Sequence, residues 1–331
     1  MRVLIVGEAA PGALADSYAH AFRELGATVT RFCTRAGAAI PGTGTRVGRR
    51  LLAPVAARIL NARIRGLASS PADLVLVIKG SELEPATVEA LRDGGAPVVN
   101  FYPDDPFSTL RSNRLRHGPA VLGAYTHCFT FARHLMDGYR RAGADASYLP
   151  FAWDPRLHTP QPADGEPLDA VFVGNLDAER VSWLEAMDPA RLTVFGEHTR
   201  AAVPPGSPLA RAAFFPAVYG RDMAALLARS RISVNLMRTQ NAGSHNMRTW
   251  ESPACGAFTL SQRTPELTEL FRENEEMACF GTPAELAAAV DDWLARPDDR
   301  ARIAAAGLRR VANESYTARA SAILRTMGLA P

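Results

Sequence analysis

One carboxylate stands out in the stretch SHNMRTWESPACGAFTLSQ, which starts at Ser244. The pattern predicts a helix that begins near Ser244 or Asn246, because both residue types are good N-caps. Glu251 then lies roughly two turns into this helix, too far along to cap it. There it can accept two hydrogen bonds from the hydroxyls of a ribose. A structural Glu251 that pairs with Arg248 or Arg263 is the alternative.

Donor and positive groups precede this carboxylate and suit a diphosphate. The N–H groups and the dipole of a helix N-terminus form an anion site. A guanidinium adds a forked pair of donors that matches phosphate geometry. The loop between the predicted strand RISVNLM and the helix supplies the candidate residues Arg238, Ser244, His245, Asn246 and Arg248.

A second loop with matching chemistry lies in the segment VFVGNLDAERVSWLEAM. Gly174 and Asn175 follow a predicted strand, and a glycine there lets the backbone approach a ligand closely. Arg180, in the first turns of the next helix, can reach a phosphate. An exposed Arg180 that pairs with Glu179 or Glu185 is the alternative.

In the first half of the chain, candidate groups also follow predicted strands. The segment FYPDDPFS places Asp104 and Asp105 at a strand end, where a carboxylate can take a proton from a hydroxyl. Asp105 is the first choice, and the alternative is that Asp105 and the following proline cap a helix. Lys79, the only Lys, ends another strand and either contacts a ligand or is a surface charge.

The loop after the first strand, GEAAPGAL, carries Gly7 and Glu8. It departs from the GxGxxG fingerprint of dinucleotide-binding folds, and no acidic residue closes the next strand in TVTRFCTRAG. The sequence therefore gives little support to a nicotinamide-dependent oxidoreductase. The loop either lines a ligand cleft or is a simple turn.

Alternating strands and helices must position these groups. Apolar strands that alternate with helical patterns predict parallel sheets covered on both faces. The strands are predicted at 2–7, 28–33, 72–80, 96–102 and 126–131 in the first half, and at 169–175, 192–196, 231–237 and 257–262 in the second. Ligands of such sheets bind at the carboxyl ends of the strands, so two facing sheets would enclose a cleft.

A proline-rich stretch divides the two halves. We predict an N-terminal domain at 1–150, a linker at 151–167 and a C-terminal domain at 168–331 that ends in helices. A basic segment at 44–68 reads as a core-facing helix with an Arg-rich solvent face, or as an amphipathic membrane-surface helix.

Bulk properties exclude several classes of protein. The 331 residues carry a net charge of only +3, which argues against general nucleic-acid binding. The four cysteines are widely spaced, which argues against a disulfide framework or a zinc site and fits a reducing cytosol. No signal peptide or transmembrane run is apparent, so we expect a cytoplasmic protein without an integral membrane span.

The chain resembles a known enzyme family. RTWESPACGAFTLSQRTPELTELFRENEEMACFGTPAEL, at 248–286, is similar to the nucleotide-sugar-binding half of group 1 glycosyltransferases. More narrowly, the chain resembles the CgeB-like, spore-maturation type of glycosyltransferase. The motifs that carry this likeness are IKG (78–80), YPDDP (102–106), YLPFAWDPRLH (148–158), FVGN (172–175) and AAAGLRRV (304–311).

The resemblance implies the GT-B fold, an α/β architecture of two facing Rossmann-like domains with a central cleft and a helical C-terminal tail. It implies a donor site in the C-terminal domain, with Glu251 on the ribose, Gly174 and Asn175 beside the donor and Arg180 on a phosphate. The loop 244–248 would surround the diphosphate and sugar. In the N-terminal domain, Gly7, Glu8, Lys79 and Asp105 become acceptor-side candidates. The resemblance implies no metal and no cofactor.

One position departs from the family pattern. Many group 1 enzymes carry a second Glu eight residues before the ribose-binding one, and this chain has Gly243 there. The CgeB-like branch is compatible with this departure, since polar groups such as His245 and Asn246 can serve at that place. The stereochemical course of the reaction stays open.

The resulting prediction is a bacterial glycosyltransferase, with a hexosyltransferase favoured, that uses a nucleotide-diphosphate sugar and a hydroxyl-bearing acceptor. The acceptor class spans small molecules, glycans and cell-surface or natural products, and peripheral membrane contact stays open. The catalytic candidates are Asp105, Asp104, Arg180 and His245. Two alternatives remain, a nucleotide-sugar epimerase of the same fold and a non-catalytic nucleotide-sugar-binding protein.

Overall fold

The computed structural model describes residues 1–10, 12–37, 46–110 and 113–330. The chain forms two compact units. The first contains Met1–Pro150 together with the segment from Tyr316 onward, and the second is Phe151–Ser315.

The first unit is built on a six-stranded parallel sheet in the order β2-β1-β3-β4-β5-β6. Its central strands β3 and β4 have no exposed residue, because helices cover both faces of the sheet. The strands are β1 (Arg2–Gly7), β2 (Thr28–Cys33), β3 (Leu74–Ile78), β4 (Val98–Tyr102), β5 (His127–Thr130) and β6 (Ala146–Tyr148).

The helices that follow the chain through this unit are α1 (Leu14–Glu24), α2 (Thr34–Gly37), α3 (Arg46–Arg65), α4 (Pro85–Asp93) and α5 (Met136–Arg141). The predicted basic segment corresponds to α3, and its residues 44 and 45 lie outside the described residues. In the described part of α3, Ala57, Leu60 and Ile64 are buried, whereas the arginines at 58, 63 and 65 are exposed. The described part of α3 is therefore a core-facing helix with an Arg-rich solvent face, the first of the two alternatives for this segment.

The second unit repeats the architecture with the strand order β12-β11-β10-β7-β8-β9. In this order β7 and β10 are neighbours, although β8, β9 and the helices between them separate the two strands along the chain. The strands are β7 (Leu168–Val173), β8 (Leu192–Phe195), β9 (Ala213–Phe215), β10 (Ser230–Asn235), β11 (Thr259–Gln262) and β12 (Ala278–Phe280).

The helices of this unit are α6 (Ala178–Leu184), α7 (Thr199–Ala202), α8 (Gly220–Ala228), α9 (Arg248–Ala254), α10 (Pro265–Leu270), α11 (Pro283–Leu294) and α12 (Pro297–Val311). In three of them the residue directly before the helix is a side-chain cap. Asp177, Thr264 and Thr282 accept hydrogen bonds from backbone N–H groups in the first turns of α6, α10 and α11.

All the predicted strands are present, but the short strands β6, β9 and β12 were not predicted. Each of the three has only three residues. No helix of the described ranges has the length and apolar character needed to cross a membrane.

The last helix, α13 (Tyr316–Thr326), departs from the predicted division of the chain. The prediction placed all the terminal helices in the C-terminal domain, whereas α13 packs on α1 in the first unit. The rings of Tyr18 and Tyr316 meet edge to face at 5.1 Å, and Arg319 Nε donates to the carbonyl of Pro150 at 3.0 Å. Ile323 is fully buried.

The predicted linker also differs from the structure. Residues 151–167 belong to the second unit. Trp153 Nε1 donates to the carbonyl of Val311 at 2.7 Å, and Asp154 is only 1% exposed. This proline-rich and polar stretch is therefore part of the second unit and not a linker outside it.

The packing of α13 gives a stability test. Leu324→Ala should destabilise the first unit by about 3 kcal/mol, because Leu324 is fully buried and truncation of a core leucine leaves a cavity. Urea unfolding measures the loss, and hydrogen exchange locates it, with faster exchange expected in α1. The exposed Arg325→Ala is the matched control. Loss of protection confined to the second unit would contradict the assignment of α13.

Candidate functional site

The candidate site lies where β7 and β10 end. These strands are parallel neighbours, with Phe172 opposite Val234, so the loops that follow them leave the sheet at the same edge. This carboxyl edge is where ligands of open α/β sheets bind. The loops are Gly174–Asn175 after β7 and Leu236–Arg238 after β10.

Arg180 fastens these two loops together. Its Nη1 donates to the carbonyl of Asn175 at 3.0 Å, and its Nη2 donates to the carbonyl of Leu236 at 2.7 Å. The guanidinium lies over the ring of Phe172, 5.5 Å from its centroid. Burial, reinforced by the positive charge of Arg238, lowers the pKa of Arg180 to about 10. The side chain therefore holds the edge of the site in shape.

The exposed alternative for Arg180 is wrong, since the residue is only 8% exposed. Neither predicted acidic partner pairs with it. Glu179 instead accepts from Thr239 Oγ1 at 2.6 Å, and Glu185 accepts from Ser207. A direct phosphate contact by Arg180 stays a prediction, and it would compete with the two carbonyls.

The loop after β7 is also held from the side of β8. Asn175 Oδ1 accepts from the N–H of Glu197 at 3.0 Å, and Gly174 donates its N–H to Phe195 at 2.8 Å. The close backbone approach occurs at Gly196, where an added Cβ would lie 2.3 Å from the carbonyl oxygen of Gly174. The glycine requirement that the sequence suggested at Gly174 is thus strongest at Gly196.

Helix α9 starts later than predicted. It begins at Arg248, and the side chain of Asn246 accepts from the N–H of Thr249 at 3.1 Å, as a capping residue does. Glu251 therefore lies in the first turn and not two turns along. Because α9 has seven residues, its dipole is short, and the nearby arginines carry most of the positive charge at this edge.

Asn246 has a second task beside the cap. Its Nδ2 donates to Asn235 Oδ1 at 2.8 Å and to the carbonyl of Leu236 at 3.2 Å. Asn235 in turn donates to Thr249 and Ser261, at 3.2 and 3.1 Å. This buried polar network ties the start of α9 to the end of β10.

Glu251 is buried and ion-paired. Arg248 Nη1 donates to Glu251 Oε2 at 2.6 Å, and Glu251 is 5% exposed. Arg248 also reaches the carbonyl of Val173 at 3.4 Å and contacts Met223 Sδ. The predicted alternative partner, Arg263, instead pairs with Glu273 at 2.6 Å. Arg248 thus orients a carboxylate at the edge of the site.

The second oxygen of Glu251 faces a residue that was not predicted as part of the site. Glu251 Oε1 lies 3.8 Å from Nε2 of His158, which is 6% exposed. Burial lowers the pKa of His158, against the opposing effect of Glu251, so the ring is neutral at pH 7. The only sequence signal for this residue is its place in the motif YLPFAWDPRLH.

His245 and Ser244 are buried in this structure. His245 is fully buried, with its ring against Phe151 and Trp250 at 5.7 Å, and its Nε2 accepts the N–H of Phe151 at 3.2 Å. Ser244 is fully buried too, and its carbonyl accepts from Thr264 at 2.6 Å. Neither side chain is exposed, so both contribute to packing here, and a donor contact by either residue and a catalytic role for His245 stay predictions.

Arg238 is the most accessible of the three arginines at this edge. Its side chain is 41% exposed and lies 3.8 Å from Asp177 Oδ2, itself 40% exposed. An exposed ion pair of this kind is weak, because water screens it. Arg238 can therefore turn toward an incoming anion at little cost.

The candidates of the first unit also lie at strand ends. Lys79 Nζ donates to Asp104 Oδ2 at 2.7 Å across the ends of β3 and β4. Lys79 adopts a left-handed backbone conformation, with φ of 64°, which is unfavourable for a residue with a side chain. Asn100 supports it by donating to the carbonyl of Lys79 at 3.2 Å.

Asp105 begins a turn and not a helix. Its Oδ1 accepts the N–H of Phe107 at 2.8 Å, and residues 103–110 form turns and bends. The predicted helix cap at Asp105 is wrong, because the side chain closes an Asx turn instead.

Gly7 and Glu8, the two candidates in the loop after β1, have structural roles in the first unit. A Cβ on Gly7 would lie 2.9 Å from Cβ of Ala15, so Gly7 allows α1 to pack closely on β1. Glu8 pairs with Arg35 at 2.6 Å, and both side chains are well exposed. An acceptor contact by either residue stays a prediction.

Metal ligands were not predicted for this chain. Within residues 1–10, 12–37, 46–110 and 113–330, no group of three or more His, Cys, Asp or Glu side chains is arranged to hold a metal ion.

One family model and many solved structures match this chain. A model of the family described as "Glycosyl transferase-like" matches residues 180–325, which contain most of the candidate site. A search of curated proteins gave no match. The family match supports the prediction of a glycosyltransferase over this part of the chain.

Solved structures with the same fold cover nearly the whole chain. HepE from Anabaena, in complex with UDP, is 14% identical, with a TM-score of 0.65 over 99% of this chain and 100% of HepE. Sucrose-phosphate synthase from Thermosynechococcus elongatus is 14% identical, with a TM-score of 0.73 over 99% and 98%. The glucosyltransferase BGT of phage T4, in complex with its UDP-glucose substrate, is 12% identical, with a TM-score of 0.64 over 99% and 100%. The predicted GT-B fold is confirmed.

The two hydrogen bonds by which Arg180 joins the loops after β7 and β10, here called the clamp, can be tested by substitution. Arg180→Met should cost about 2–3 kcal/mol of unfolding free energy, because the carbonyls of Asn175 and Leu236 lose their donor. Hydrogen exchange should accelerate in the loops after β7 and β10. The matched control is Arg238→Met, which removes an exposed arginine and should change stability little. Equal stability and unchanged exchange in Arg180→Met would contradict the clamp.

Proposed function

We propose that this chain transfers a hexose from a nucleoside-diphosphate sugar to a hydroxyl-bearing acceptor, without a metal ion. The observation that carries the proposal is the oriented carboxylate of Glu251 beside three arginines, at the carboxyl edge of the second unit. The UDP and UDP-glucose present in HepE and BGT support a nucleotide-sugar donor. We further place the enzyme in the CgeB-like branch and in a bacterial cytoplasm, on the strength of the sequence resemblance.

Glu251 recognises the ribose in this proposal. Its Oε2 accepts a hydrogen bond from Arg248 at 2.6 Å, which fixes the direction of the carboxylate. Among the described residues its Oε1 accepts no hydrogen bond, and His158 Nε2 lies 3.8 Å from it. A carboxylate oxygen so placed can accept from a ribose hydroxyl.

The arginines serve the diphosphate. Negative charge grows on the leaving phosphate as the bond to the anomeric carbon breaks, and preorganised donors aimed at that charge lower the barrier. Arg238 is exposed enough to contact the phosphates directly, whereas the buried Arg180 and the half-buried Arg248 add positive potential. These fixed charges take the place of a metal ion.

The first unit binds the acceptor in this proposal. If the reaction inverts configuration, a carboxylate must take the proton of the acceptor hydroxyl. Asp105 is the first choice, because the hydrogen bond from Phe107 orients its carboxyl group while Asp104 is engaged by Lys79. If the reaction retains configuration, the leaving phosphate accepts the proton and no such base is needed.

Incubation of the full chain with UDP-, GDP- and dTDP-sugars, an acceptor panel and a chelator tests this function. Nucleotide release with formation of a glycosylated product is the expected result. Conversion of the sugar without an acceptor would instead indicate an epimerase, and binding without turnover would indicate a binding protein. Activity that appears only when Mg²⁺ or Mn²⁺ replaces the chelator would contradict the metal-free clause.

Glu251→Gln should lower kcat/KM for the donor by tenfold or more, because an amide is a weaker acceptor than a carboxylate and no longer pairs with Arg248. Steady-state kinetics with varied donor measures the effect. Glu285→Gln is the matched control, since Glu285 is an exposed carboxylate that pairs with Arg263 in the same unit. Normal donor kinetics in a folded Glu251→Gln protein would remove the ribose assignment.

Asp105→Asn should reduce kcat by about 10²–10⁴-fold if the reaction inverts, since loss of a general base has this scale. Asp104→Asn, its neighbour, should affect kcat less. The stereochemistry of the product decides how the result is read. An inverting enzyme with unchanged kcat in Asp105→Asn would show that another group takes the proton.

A further inference from the structure

His158 and Glu251 present an unpaired donor beside an unpaired acceptor. Their atoms Nε2 and Oε1 are 3.8 Å apart, which is too far for a hydrogen bond between them. The two residues come from different parts of the second unit, His158 from the ordered stretch after Phe151 and Glu251 from α9. A second ligand-facing group therefore accompanies the predicted ribose carboxylate.

The tautomer of His158 follows from its other nitrogen. Nδ1 accepts the backbone N–H of Asp154 at 3.1 Å, so in the neutral ring the proton is on Nε2. Nε2 is thus a hydrogen-bond donor directed toward Glu251. Asp154 is itself fixed by Arg156, at 2.7 Å, which holds the turn that carries the imidazole.

The charges around the ring keep it a neutral donor. Glu251 and Asp154 favour the protonated ring, whereas Arg248 and burial disfavour it, and burial is the largest effect. Arg248 also satisfies Oε2 of Glu251, so Oε1 is the oxygen left for a ligand.

Both atoms remain within reach of solvent. The fully buried polar atoms that lack a hydrogen bond in the described chain include neither His158 Nε2 nor Glu251 Oε1, although neither atom has a hydrogen-bond partner there. A small polar group can therefore enter between them.

We propose that His158 and Glu251 together recognise the two vicinal hydroxyls of a ribose, so that the donor is a ribonucleoside diphosphate sugar. Glu251 Oε1 accepts from one hydroxyl, and His158 Nε2–H donates to the other. This inference rests on the proposed function and narrows its donor class. A 2′-deoxy donor, such as a dTDP-sugar, leaves one of the two protein atoms unpaired and binds more weakly.

Calorimetric titration of the full chain with UDP, GDP and ADP, each beside its 2′-deoxy counterpart, tests the inference. For the base that binds, the ribonucleotide should bind at least about tenfold more tightly, since a hydrogen bond to a charged or buried group has this scale. The comparison keeps base and diphosphate constant and changes only the hydroxyl.

Two variants separate recognition from folding. His158→Asn keeps an acceptor near the position of Nδ1 for the N–H of Asp154 but removes the Nε2 donor. His158→Gln places an amide donor near the position of Nε2. The ratio of ribo to deoxy affinity should fall toward one in His158→Asn and recover in part in His158→Gln. Thermal unfolding checks that each variant is folded.

The outcomes are distinct. Equal affinity of the natural chain for ribo and deoxy nucleotides overturns the inference and leaves the proposed function intact. An unchanged ratio in folded His158→Asn overturns the role of His158 and leaves that of Glu251. Failure of every nucleoside diphosphate to bind, in a chain that also shows no sugar transfer, overturns the proposed function itself.

Discussion

The buried ion pair between Arg248 and Glu251 is the interaction on which the candidate site depends. Glu251 is only 5% exposed, and a buried carboxylate without a partner is costly. The arginine three residues earlier in the same helix removes that penalty at 2.6 Å and also fixes the direction of the carboxylate. Arg248 bonds only Oε2 of Glu251, so Oε1 remains on the side of His158, 3.8 Å from its Nε2. The proposed ribose contacts depend on this geometry.

The surroundings of the pair are held by groups that satisfy backbone atoms. Arg180 bonds to the carbonyls that end β7 and β10, while Asn246 both caps α9 and bonds to the carbonyl of Leu236. Buried polar groups must be paired, so these side chains define the loops as firmly as apolar packing defines the sheet. Such support gives a site the fixed geometry that transition-state stabilisation requires.

Much of the fold could be predicted because buried parallel strands are continuous apolar runs, such as LVLVI at 74–78. The three-residue strands carry too few letters to give such a signal. The buried face of α13 was visible, but an apolar face does not reveal which sheet or helix it meets. Glu251 could be singled out as a lone acid on a short helix. The carbonyl partners of Arg180 could not be predicted, because every residue has a backbone carbonyl. The pairing of His158 with Glu251 could not be predicted either, because the two residues are distant along the chain.

A crystal structure of the protein with UDP or GDP bound tests the central claim most directly. The account predicts that the ribose lies in the second unit with a hydroxyl within hydrogen-bond distance of Glu251 Oε1, and that the diphosphate lies near Arg238. A nucleotide bound in the first unit, or a ribose in the second unit remote from Glu251, would contradict it.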